Sequence, residues 1–208
     1  MSWLFARCYD RLMAQTEQAC LQGWRAELLA GVEGDVLEIG AGTGRNLDHY
    51  GDRVERLVLL EPDRHMRTRL SSGLGGRHLP FAVEVSDGSG AALPFADASF
   101  DAVVSTLVLC SVPDEHQALR EIARVLRPGG RLVFLEHVAA THRPKRLRWQ
   151  RRIEPLWKRL AGGCHLTRTT EDAIAGAGFD VTGVTRESAR KASPLVRTMV
   201  RGTATRTV

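Results

Sequence analysis

The sequence predicts an α/β protein, a doubly wound and mostly parallel sheet of seven strands with helices on both faces and a helical cover at the N-terminus. Three observations carry this. Short apolar runs alternate with amphipathic helical stretches along most of the chain. One of them, Val36 to Ile39, breaks into glycines at alternate positions, Gly40-Ala41-Gly42-Thr43-Gly44, before a helical pattern resumes near Arg45. A second run, Arg56 to Leu60, stops at Glu61-Pro62-Asp63.

The composition allows this fold and excludes others. With 208 residues, 43% hydrophobic and 25% charged, the chain can bury one good core, and a single domain over 1–208 is expected. The net charge of +5, mostly arginine, favours anionic partners without naming one. Cys8, Cys20, Cys110 and Cys164 are far apart and form no C-x-x-C, so the spacing suggests neither a zinc site nor a disulfide framework, and a reducing cytoplasm fits. No run approaches 18 apolar residues, and Met1 to Arg11 lacks a signal-peptide pattern.

In chain order, residues 3–30 are helical in pattern, with Gly23 separating two short helices; this cover either packs on a sheet edge or lies over a ligand cleft with Tyr9 and Asp10 inward. Strand 36–39 leads through the glycines to a helix over Arg45–Tyr50, closed by Gly51. Strand 56–60, a helix over 64–70, strand 81–85 and strand 100–107 follow. Pro113 and Asp114 start a helix that Pro128-Gly129-Gly130 ends, and strand 131–138 comes next. Residues 34–138 thus form the core. The segment 139–178 supplies two helices, an arginine-rich one over 143–160 and a short one over 171–177 stopped by Gly178. A sixth strand, 179–185, and a seventh near 196–201, at an edge or antiparallel, complete the chain to residue 208.

The glycine turn selects among nucleotides. A dinucleotide fingerprint reads G-x-G-x-x-G and a P-loop ends in Gly-Lys-Ser/Thr; this turn reads G-x-G-x-G and then Arg45. Glu38, two residues before the first glycine, would repel a pyrophosphate but suits an ammonium or sulfonium ligand. Glu61, 23 residues on, is placed to accept both hydroxyls of a ribose.

Together, Glu38 to Gly44, Glu61-Pro62-Asp63, Leu93-Pro-Phe-Ala-Asp97 with Phe100-Asp101, and Arg124 to Gly130 resemble the motif series of the class I S-adenosylmethionine (SAM)-dependent methyltransferases. Ser105 to Val112, Glu136 to Ala140 and Gly163 to Arg168 further resemble the subgroup of alkyl-thiol methyltransferases and their bacterial phospholipid- and quinone-type relatives. The resemblance implies a Rossmann-like sheet, SAM as cofactor and S-adenosylhomocysteine as product. It implies that Gly40, Ala41, Gly42 and Gly44 lie over the methionine part, with Glu38 ordering that turn or facing the ammonium. It places Glu61 on the ribose, Pro62 and Met66 near the adenine, and Thr106 and Leu107 beside the methionine end. Many relatives carry an acid where this chain has Ser89-Gly90-Ala91, which leaves Asp87, Gly88 and Ser89 as the adenine-side candidates.

Methyl transfer to a small, apolar acceptor is therefore the expected activity, with a thiol favoured by the subgroup resemblance and O-, N- or C-methylation of a lipid, quinone or secondary metabolite as the rival. A SAM-binding module without catalysis is a further alternative. His137, at the carboxyl end of the fifth strand, and His165 are the candidate catalytic bases or acceptor contacts. Tyr9, Trp149 and Trp157 are candidate acceptor contacts; the tryptophans, eight residues apart, are expected to share a face. The cations of helix 143–160 leave three readings open: a solvated cover over the acceptor pocket, peripheral membrane contact, or a nucleic-acid footprint. No RNA-binding motif accompanies them.

Overall fold

The computed structural model describes residues 11–207. The helical N-terminus runs over 11–29, with a π-helical turn at Glu17–Leu21 followed by α1 (Gln22–Leu29). The core comprises β1 (Gly34–Ile39), β2 (Val54–Leu60), α2 (Arg64–Leu74), β3 (Ala82–Ser86), β4 (Phe100–Thr106), α3 (Glu115–Val125) and β5 (Leu126–His137). Then come α4 (Pro144–Leu160), α5 (Thr170–Gly176), β6 (Phe179–Asp180), β7 (Thr185–Ser188) and β8 (Thr198–Arg206). Among the described residues no helix is long and apolar enough to cross a membrane.

The strands form one sheet in the order β3-β2-β1-β4-β5-β8-β6, with β7 also on β8. β1 to β5 are parallel, and β8 runs antiparallel to β5. The order reverses between β1 and β4. In such a sheet ligands bind outside the carboxyl ends of the strands at that reversal. Alternation along the strands divides the core between the two faces. Leu37 and Ile39 pack with Leu119, Ile122 and Ile174 on one face, while Val36, Leu57 and Leu59 pack with Leu29, Leu47 and Leu70 on the other. Glu38, flanked by Leu37 and Ile39, falls on the second face, beneath the glycine turn.

Several expectations need correction. The sheet has eight strands rather than seven, because 179–185 divides. The Asp180 carboxylate accepts hydrogen bonds from the Thr182 amide and hydroxyl, folding the chain into a turn between β6 and β7. β8 is antiparallel as anticipated but lies inside the sheet, because β5 pairs along one side of it and β6 and β7 along the other. Gly23 does not break the N-terminal helix; it sits in the first turn of α1, and the irregularity falls at the π-turn before it. No α-helix follows the glycine turn. Residues 42–46 are turns ending in a 3₁₀ segment, Leu47–His49, since the Asn46 side chain is drawn under the turn. β5 begins before the Pro128-Gly129 bend rather than after it, through the pairing of Leu126 with Phe100.

Candidate active site

The carboxyl ends of β1, β2, β4 and β5 converge on the glycine turn, Glu61, Thr106-Leu107 and His137. Gly40, Gly42 and Gly44 all hold φ near +60° to +84°. A Cβ on Gly40 would come within 2.5 Å of the Val108 side chain, and one on Gly44 within 2.8 Å of Leu47 and Leu70. Gly44 therefore provides the close packing on α2 that the third glycine provides in a dinucleotide turn. A Cβ on Gly42 would face open space, meeting only the Gly40 carbonyl at 3.9 Å. That is the geometry of a backbone left free for a ligand to approach.

A buried polar lattice fixes this turn from below. Asn46 Nδ2 donates to Glu38 Oε1 at 3.0 Å and the Tyr50 hydroxyl donates to Glu38 Oε2 at 2.6 Å. Arg25 donates to Asn46 Oδ1 at 2.8 Å, to the Thr106 hydroxyl at 2.9 Å and to both Glu17 oxygens. Asn46 Nδ2 also reaches Thr106 Oγ1 at 3.1 Å. Of the two roles expected for Glu38, ordering the turn is the one that its hydrogen bonds support. Burial pushes its carboxyl up to about 7, against opposing contributions from Tyr50, Arg25 and Asn46. Sequence reasoning missed Arg25, Asn46, Tyr50 and Glu17; the one available signal was a set of polar residues at otherwise apolar spacings.

Glu61 is buried beside the turn. Its Oε2 accepts the Gly42 amide and its Oε1 the Asp63 amide, each at 2.8 Å. Burial raises its pKa. With one donor on each oxygen, a carboxylate retains lone pairs for two hydroxyls, so the ribose role fits. Pro62 is exposed beside it, while Met66 is fully buried in α2 and Asp63 caps that helix through the His65 and Met66 amides. Asp87 is taken up by the Arg67 guanidinium at 3.0 Å; Gly88 backs on Leu60, and the Ser89 hydroxyl accepts the Ala91 amide. Ala41 is buried, its amide bonded to the Leu60 carbonyl. The residues present thus fit a sulfonium nucleoside. When bound, SAM would supply the transferable methyl; the turn and Glu61 would hold it.

On the acceptor side, Leu107 leaves β4 at φ +61°, and the following turn is held from two directions. Glu136 Oε1 accepts the Ser105 hydroxyl and the amides of Val108 and Leu109. Arg168 donates to the carbonyls of Leu109 and Val112. Val108, packed on Gly40, joins this turn to the donor loop. His137 is buried, its Nε2 2.9 Å from Cys164 Sγ. Trp157 Nε1 donates to the same sulfur at 3.2 Å. Cys110, His137 and Cys164 bring their ligating atoms within 4.8 Å of one another. That cluster was invisible in the cysteine spacing. His165 lies adjacent but turns to Glu154, 3.3 Å from Nδ1, and burial lowers its pKa.

Trp149 and Trp157 lie about 80° apart on α4, within the width of one helical face, but their surroundings differ. Trp149 is 57% exposed, whereas Trp157 points at Cys164. Tyr9 lies outside the described residues. A separate cleft of about 410 Å³ opens on the outer flank of the glycine turn, between Gln18, Gln22, Thr43 and Arg77; Glu61, Leu107 and His137 do not line it.

A glycine turn over a parallel sheet, with a ribose-competent carboxylate at the end of the neighbouring strand, fits the site of a nucleoside-dependent enzyme. Residues 37–134 match the methyltransferase domain family. The chain is 36% identical over 182 residues to thiol S-methyltransferase TMT1B of Rattus norvegicus, covering 86% of this chain and 73% of that one. It is 35% identical over 201 residues to thiol S-methyltransferase TMT1A of Homo sapiens, covering 95% and 81%. A solved SAM-dependent methyltransferase from Thermotoga maritima, described as a possible histamine N-methyltransferase, shares the fold with a TM-score of 0.69 at 22% identity, covering 98% of this chain and 96% of that one. The chain belongs to the class I SAM-dependent methyltransferases, in the subgroup that contains these thiol S-methyltransferases.

Two outcomes follow from the lattice and the turn. The fold holds the Glu38 proton more tightly than the unfolded chain does. Its contribution to stability is therefore greatest below pH 4.5, falls as the pH rises to about 7 and is flat above. Over that window, wild type should lose on the order of 3 kcal/mol relative to Glu38→Gln in urea unfolding; parallel curves would contradict the burial of this group. Gly42→Val should remove the thermal stabilisation given by S-adenosylhomocysteine, which at 100-fold its Kd is worth roughly 2.7 kcal/mol. A retained shift would place the ligand elsewhere.

Proposed function

We propose that this methyltransferase acts on the sulfur of a small, apolar thiol. The observation that carries this reading is the burial of His137, the histidine at the strand end where a base for an alcohol would stand. His137 Nε2 is engaged by Cys164 Sγ and its Nδ1 is buried without a partner, while His165 is held by Glu154. An alcohol needs a base positioned to take its proton, whereas a thiol, with a reference pKa near 8.5, ionises with little help. The thiol S-methyltransferase relatives support the same choice.

In this reading the protein aligns and dries the reaction. Once the thiol has given its proton to solvent, its sulfur would attack the methyl carbon that bound SAM supplies, in line with the donor sulfur, which would leave as a neutral thioether keeping the electron pair of the broken bond. Charge is neutralised along this path, so an apolar surround favours it. Leu107, Val108 and the Trp157 indole, each partly exposed, would provide that surround at the ends of β4 and α4, with His137 and His165 beside them. The basic helix α4 acts as a cover. Gln150, fully buried, ties it down by accepting the Ala140 amide and donating to the Leu195 carbonyl.

Incubation with methyl-labelled SAM and a matched panel of thiols, phenols, amines and quinols, with products identified by mass, should give methyl thioethers at rates at least tenfold above any other product. Faster methylation of an oxygen, nitrogen or carbon acceptor would overturn the thiol assignment.

A further inference from the structure

The acceptor side holds a feature that methyl transfer alone does not require. Cys110, His137 and Cys164 stand 27 residues apart in turn, yet their ligating atoms all lie within 4.8 Å of one another and all three side chains are buried. Each arrives on a different element. Cys110 is on the turn after β4, His137 ends β5, and Cys164 follows α4, where the backbone at 165 is pinned by its amide to the Cys110 carbonyl at 2.8 Å. The scaffold around the three is rigid: Glu136 and Arg168 hold the turn that carries Cys110, and two glycines with positive φ, Gly162 and Gly163, bring Cys164 back under α4.

As a hydrogen-bonded cluster this is poorly satisfied. A buried imidazole offers one donor and one acceptor, and sulfur is a weak partner for either. His137 finds only the Cys164 sulfur, and its Nδ1 has no partner. Leaving such a group unmade costs free energy that a native core seldom tolerates without purpose. A tetrahedral zinc ion keeps its nitrogen and sulfur ligands roughly 3.5–3.8 Å apart. The three atoms need to move by only a fraction of an ångström to about 1 Å to reach that spacing. Two thiolates would neutralise the dication, so the loaded centre would bring no net charge into the interior. The Trp157 indole N–H, 3.2 Å from Cys164 Sγ, is the outer-shell donor that a metal-bound thiolate attracts.

We propose that Cys110, His137 and Cys164 form a zinc site whose fourth position is open to the acceptor. Cys₂His with one exchangeable position is a donor set of catalytic rather than structural zinc. The site itself stands on the three ligands; its use in catalysis rests on the thiol reading above. There, an acceptor thiol binds the ion and releases its proton to water. Its thiolate sulfur then attacks the SAM methyl carbon, the carbon–sulfonium bond breaks with its electron pair staying on the donor sulfur, and the metal keeps its charge throughout. Val108 packs on Gly40 two residues before Cys110, so the metal-bearing turn abuts the donor loop.

Elemental analysis of the reduced full-length chain, stripped with a chelator and returned to one equivalent of zinc against a chromophoric competitor, tests the site without any acceptor present. The wild type and Cys20→Ser, whose cysteine is buried at the N-terminal helix, should retain about one zinc per chain, and Cys110→Ser and Cys164→Ser should bind roughly tenfold more weakly or worse. Cobalt in the unaltered chain should show thiolate-to-metal charge transfer, which keeps the test valid if a variant misfolds. Absence of zinc retention by wild type, a cobalt spectrum without sulfur bands, or a Cys110–Cys164 disulfide in the reduced-purified, metal-free chain would overturn the proposal. Zinc bound by those ligands with no thiol methylated would leave the site standing and reject the thiol reading alone.

Discussion

The Arg25 guanidinium is the interaction on which the donor site depends. It is 4% exposed and is surrounded by Glu17 from the same helix, Asn46 from beneath the glycine turn and Thr106 from the end of β4. A buried cation persists only when paired and hydrogen-bonded, and deleting one partner of such a pair costs about 3–5 kcal/mol. The N-terminal helix, the glycine turn and β4 are therefore locked into one geometry. Asn46 passes that constraint to Glu38, and Tyr50 closes the other oxygen of the carboxylate. The lattice substitutes for the helix that usually anchors a nucleotide turn. Without a helix N-terminus to attract a pyrophosphate, and with a carboxylate beneath the turn, the site selects a ligand with no phosphate.

Donor and acceptor halves are coupled through packing. Gly40 lacks a side chain because Val108 occupies the space, and Val108 belongs to the turn that Glu136 gathers by its amides. The Glu136 carboxylate, wholly buried and raised in pKa by that burial, leaves Oε2 unpaired. Such a costly arrangement concentrates strain where Leu107 already adopts a left-handed backbone, at the junction between the two ligands. A small displacement on either side is then felt on the other, which suits a reaction whose one demand is alignment.

Much of this was legible in the sequence. Alternating apolar runs located β1 to β4 to within two residues and the second half of β5, because buried parallel strands admit little else. The glycines, Glu61 and His137 were legible because each sits at a strand end, where the fold itself puts ligands. What escaped notice is long-range. Arg25 and Asn46 look like ordinary polar residues until the turn folds over them, and Cys110, His137 and Cys164 meet only beyond the carboxyl ends of β4 and β5. The helix expected after Gly44 was lost because Asn46 serves the lattice instead. Spacing put Trp149 and Trp157 within one face of α4 but could not show that only Trp157 reaches Cys164, and β8 is antiparallel, one of the two arrangements expected for it, with β6 and β7 paired beyond it.

The claim that the buried lattice, rather than the glycines alone, shapes the cofactor turn is tested most directly by calorimetric titration of Asn46→Ala with S-adenosylhomocysteine. The substitution leaves every glycine and Glu61 in place and removes the link between Arg25 and Glu38. Binding at least tenfold weaker than wild type, in a chain whose circular dichroism is unchanged, is the predicted result. An unaltered Kd in that folded variant would contradict it.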